Sequence, residues 1–66
     1  MNLMEGLIKQ INRNRELVSL YESIGPAGQF GATFIKQDIM EAEEAMGSGD
    51  IVAMAQCYET LKENKG

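Results

Sequence analysis

A chain of 66 residues with one cysteine, no histidine and a formal charge of −4 has few ways to be stable alone and fewer ways to do chemistry. A domain this small buries only about 60% of the surface its unfolded chain exposes, and neither an intrachain disulfide nor a histidine-containing zinc site can supplement its core. The absence of histidine removes the imidazole base and the Cys–His and Ser–His pairs of nucleophilic catalysis, while the acidic balance opposes general nucleic-acid binding.

The expectation is therefore a non-enzymatic domain spanning residues 1–66, without cofactor or metal, that supplements its core by homo-oligomerisation. Apolar residues recur at spacings of three and four throughout, which predicts an all-α fold of three helices near 2–24, 26–46 and 49–64. They form helical hairpins joined by short, Gly-containing turns. The start, MNLMEGLIKQ, has neither the basic opening nor the apolar run of a signal peptide, and no stretch reaches the length of a membrane span. A cytoplasmic location is expected.

In the first helix, Leu3, Leu7, Gln10, Asn14, Leu17, Tyr21 and Ile24 alternate at threes and fours, a heptad seam interrupted by two polar residues that would fix its register. Two readings of the middle stay open: one continuous helix, or a break at NRNR with Asn12 or Asn14 capping a shorter second piece. Lys9, Arg13 and Arg15 balance Glu5, Glu16 and Glu22, so the whole −4 belongs to residues 25–66.

Gly25-Pro26 ends this helix, because proline suits a first helical turn and restricts the residue before it. The stretch GPAGQFG admits two uses. Gly28 and Gly31, with Ala32, are small enough to let another helix approach closely. Alternatively, the free N–H groups of the first turn, Gly25 to Gly31, form an anion site with Arg13, Arg15 and Tyr21. The stretch lacks the lysine and preceding strand of a phosphate loop, which favours packing.

The second helix has two apolar lobes. Phe30 and Phe34 form one, flanked by Ala27 and Ala45; Gly28, Ile35, Ile39, Ala42 and Met46 form the other. Together they exceed the stripe of about 100° that one neighbour covers, so interface residues are expected among Leu7, Asn14, Leu17, Tyr21, Gly28, Gly31, Phe30, Phe34 and Asp38. Asp38 lies between the lobes, either at a core edge or paired with Arg13 or Arg15. Glu41, Glu43 and Glu44 give the end of this helix an acidic surface. Met4, Met40 and the rim of Met54 suit an adaptable one.

In GSGD, Gly47 is expected to take the left-handed conformation, and Ser48 or Asp50 to cap the third helix. That helix carries a stripe of Ile51, Met54, Ala55, Tyr58 and Leu61, with Cys57 bordering it as a small core residue. In size and composition the chain is similar to small phage and mobile-element accessory proteins, a likeness that assigns no site. Two functions fit: an oligomeric helical protein that binds and modulates or inhibits a larger protein, or an oligomer that sequesters a phosphate-bearing ligand such as a cyclic or linear nucleotide.

Overall fold

The computed structural model describes residues 2–65, which form three helices: α1 (Leu3–Ile24), α2 (Pro26–Ser48) and α3 (Ile51–Glu63). The Asn2 side chain caps α1 by accepting the Glu5 N–H at 2.8 Å. The helix then runs unbroken through Asn12–Arg15. Asn14 does not compete with the backbone for donors there. Its amide instead donates to the Gln10 carbonyl one turn back, at 2.7 Å.

The α1–α2 turn consists of one residue. Gly25 has φ +117°, a conformation that side chains disfavour, and its carbonyl accepts the Gln29 N–H to begin α2. Two residues into α2 the helices nearly touch. A Cβ on Gly28 would lie 1.8 Å from the Tyr21 carbonyl oxygen, and one on Gly31 would lie 2.9 Å from the Tyr21 ring. Close approach within the chain is what these glycines permit.

At the second turn the left-handed residue is Gly49, at φ +70°, whereas Gly47 is helical. The helix continues past Gly47 because the Gly49 and Asp50 N–H groups close it onto the Met46 and Ala45 carbonyls. Asp50 caps α3 by accepting the Ala53 N–H at 3.1 Å.

Leu7, Ile11 and Val18 of α1 meet Ala32, Ile35, Ile39, Ala42 and Ala45 of α2 in the core, closed by Met54 and Leu61 of α3. Tyr58 and Cys57 pack at its edge, while Ile51 and Ala55 face outward. The buried stripe of α3 is thus rotated from the expected one toward Met54, Cys57, Tyr58 and Leu61. Leu7 and Asn14, expected at an interface between chains, have 0% exposure inside the protomer, and Gly28 is buried there as well. Leu7 and Asn14 of the heptad seam are thus spent on the protein's own fold, while its last member, Ile24, stays 68% exposed.

At 1.5 Å per residue, the 13 residues of α3 cover only a little over half the length of the 23-residue α2. α3 runs back along α2 from the second turn and ends level with Asp38, whose carboxylate accepts from Asn64 at 3.1 Å.

The turn geometry predicts opposite outcomes for two similar substitutions. Gly28→Ala should lower stability by more than about 2 kcal/mol, since backbone has to move, and thermal melts should drop by roughly 10 °C or more. Gly47→Ala, where a Cβ meets nothing within 4 Å, should raise the melt by removing unfolded-state freedom, at about 0.5–1 kcal/mol.

Candidate interaction surface

The polar centre of the molecule lies where α3 ends. Four C-terminal carbonyls of any helix lack intrahelical partners, and here α1 supplies donors for them. The Arg13 guanidinium donates to the carbonyls of Leu61, Lys62 and Asn64, and its Nε donates to the Gln10 side chain at 2.9 Å. The buried Asn14 amide donates to the Leu61 carbonyl at 3.0 Å, and its oxygen accepts from Asn64 at 2.9 Å. A cation at the negative end of a helix is favourable on charge grounds too. Among the described residues no buried side-chain polar atom lacks a partner.

Within one protomer the sequence-predicted ligand residues have other partners. Arg13 is committed to α3. Arg15 points to the other flank, pairing with Glu43 at 2.7 Å. Asp38 meets neither arginine directly: its partner is Asn64, which stands between it and Arg13. Tyr21 lays its ring against Gly31 and donates its hydroxyl to the Lys65 carbonyl. Within one protomer, Arg13, Arg15, Tyr21 and Gly25 to Gly31 do not converge on an anion. Among the described residues no group of three or more His, Cys, Asp or Glu side chains is placed to hold a metal ion, and no helix is long and apolar enough to cross a membrane.

What the fold leaves available is apolar. Beyond the end of α3, two stripes share its side of the hairpin: Leu17, Leu20, Tyr21 and Ile24 on α1, and Ala27, Phe30, Gly31 and Phe34 on α2. Each has the i, i+3, i+4, i+7 spacing of a single helix face, and they meet where Tyr21 covers Gly31. Phe30 and Phe34 are 71% and 61% exposed and form an edge-to-face pair with centroids 5.3 Å apart. Of the α1 half of this face, Leu17, Tyr21 and Ile24 belong to the heptad seam read from the sequence; Leu20, 52% exposed, was missed.

The opposite flank carries a groove lined by Arg15, Val18, Lys36, Ile39 and Met40. Two exposed ion pairs, Arg15–Glu43 and Lys36–Glu22, bridge α1 and α2 along it. Met4 and Ile8 are also exposed on that side of α1. Burial first, then the Glu41 and Asp38 carboxylates, push the thiol of half-buried Cys57 on α3 above its ordinary value of 9.0.

No protein-family model, curated protein or solved structure matches the chain.

The two arginines should separate cleanly on substitution. Arg13→Gln should destabilise the fold by about 1.5–3 kcal/mol without any ligand present, as hydrogen bonds from a charged group are lost; Arg15→Gln, at an exposed pair, should cost less than about 1 kcal/mol. Urea titrations of both variants measure the difference. The thiol gives a second check. Stability that depends on neutral Cys57 is complete below its unfolded pKa and is lost as pH rises toward the folded one. At pH 8, native protein should therefore alkylate several-fold more slowly than urea-unfolded protein, as followed by mass spectrometry.

Proposed function

We propose that the protein is a non-enzymatic, cytoplasmic α-helical binding protein that engages a larger protein and modulates or inhibits it. The observation that carries this reading is the contrast between an apolar core whose buried polar side-chain atoms, among the described residues, all have partners and a surface rich in large apolar side chains. Contiguous exposed apolar surface marks contact sites.

The groove between α1 and α2 suits the partner. Met40, 53% exposed, is flexible and adapts to irregular surfaces. Exposed Glu44, one turn away on the same helix, gives that side an acidic edge that selects a basic group on the partner. The arginine at the groove is already neutralised by Glu43, which favours a protein contact over an anion.

The test is recovery of partners from the native host with tagged wild type and with Met40→Glu. A protein retained by the wild type and lost by the variant, at unchanged melting temperature, is the expected result. Equal recovery by both would place the contact elsewhere. A co-purified nucleotide with no protein would favour sequestration of a phosphate-bearing ligand instead.

A further inference from the structure

We propose that the apolar face beyond the end of α3 binds the same face of a second copy of this chain, forming a two-fold dimer at the α1–α2 turn. The proposal rests on reading the chain as an interaction protein but uses the other side of the hairpin from the groove.

Geometry comes first. Along the half of the hairpin near the second turn, α3 fills the surface between α1 and α2. After Glu63 the chain leaves helical conformation, with Asn64 at φ −69° and ψ 132°, and Tyr21 donates to the Lys65 carbonyl at the border. The stripes of Leu20 and Ile24 and of Phe30 and Phe34 therefore continue the line of α3, and among the described residues no helix of this protomer lies along them. The surface has the form that receives helices, and a second hairpin offers two.

Charge then selects the occupant. Residues 23–35 are the longest run without a charged side chain in a chain of net charge −4, and none of the eight residues in the two stripes is charged. A partner recognised by complementary charge finds nothing to read there. Two identical acidic chains repel each other elsewhere, over a screening distance of about 8 Å at physiological ionic strength. The turn end is where they meet at least cost. A two-fold contact also requires a surface that is its own complement, and uncharged aromatic and aliphatic side chains satisfy that without matching donors to acceptors.

Area agrees. Leu20, Ile24, Phe30 and Phe34 are 52, 68, 71 and 61% exposed, on the order of 500 Å² at about 200 Å² for each large side chain. That is already near the largest patch a typical monomer shows, about 300–600 Å². Complete burial of these side chains on both copies removes about 1,000 Å², the threshold that an interface between proteins has to clear. Half-buried Leu17 and Tyr21 and exposed Ala27 add to it.

Sedimentation equilibrium of the purified protein, from about 1 to 200 μM, is the deciding experiment, with Phe30→Glu/Phe34→Glu as the test variant and Met40→Glu as the control. The wild type and the control should show twice the chain mass in the upper part of the range. The Phe variant should dimerise at least about tenfold more weakly, with an unchanged helical circular dichroism spectrum, because both rings are exposed in the protomer. A wild type monomeric throughout, or a dimer that survives in the Phe variant, overturns the proposal. If the Phe variant loses helicity, Phe34→Ser alone decides: undiminished dimerisation in that folded variant is equally fatal. A monomeric wild type whose groove still captures a host protein would defeat this dimer and leave the proposed function standing; loss of capture by Met40→Glu at unchanged dimer mass would separate the two in the other direction.

Discussion

The carbonyls at the end of α3 decide the form of this protein. A three-helix domain of 66 residues has little core to spare, so the position of its shortest helix has to be fixed by something beside apolar burial. Arg13 and Asn14, on adjacent positions of α1, take the Leu61 carbonyl together, and Asn64 ties the same point to Asp38 of α2. Removing one member of such a buried network leaves the others unsatisfied, at a cost larger than that of a single exposed hydrogen bond. The network sets the register of α3 against both neighbours, and with it the boundary between covered and bare hairpin.

The second constraint is the glycine contact at the other end. With Gly28 under the Tyr21 carbonyl and Gly31 under its ring, α1 and α2 are held in close contact at their turn. Tyr21 serves both constraints, since its hydroxyl reaches the chain just past α3. A tight turn without charge at one end and an acidic second turn at the other give the molecule two unlike poles. Apolar contact is available at the first and charge-directed contact nearer the second.

Much of the architecture was legible because it depends on local chemistry. Apolar spacing gives three helices, Pro26 marks a helix start, and Asp50 is one of the two caps that GSGD offers. The continuity of α1 through NRNR was not legible, because it depends on where the Asn14 amide finds acceptors, and one of these, Leu61, is 47 residues away. The same long-range pairing converts Arg13 from a candidate anion ligand into a helix cap. Gly47 and Gly49 were hard to distinguish, since GSGD allows either to turn and the choice follows from which N–H groups close onto Ala45 and Met46. The width of the apolar arc on α2 was read correctly as more than one neighbour could cover; that α1 and α3 take one lobe and leave Phe30 and Phe34 bare follows from the length of α3.

The account therefore stands or falls on Asn14, the buried polar residue that joins α1 to the end of α3. Amide hydrogen exchange followed by NMR, comparing wild type with Asn14→Ala, tests it most directly. The account predicts that protection in the last two turns of α3, residues 57–63, falls at least as much as anywhere in the molecule, with stability lowered by about 1–3 kcal/mol as the partners of Asn14 lose their bonds. Unchanged protection across α3 in the variant would contradict it, and would mean that apolar packing alone positions the helix.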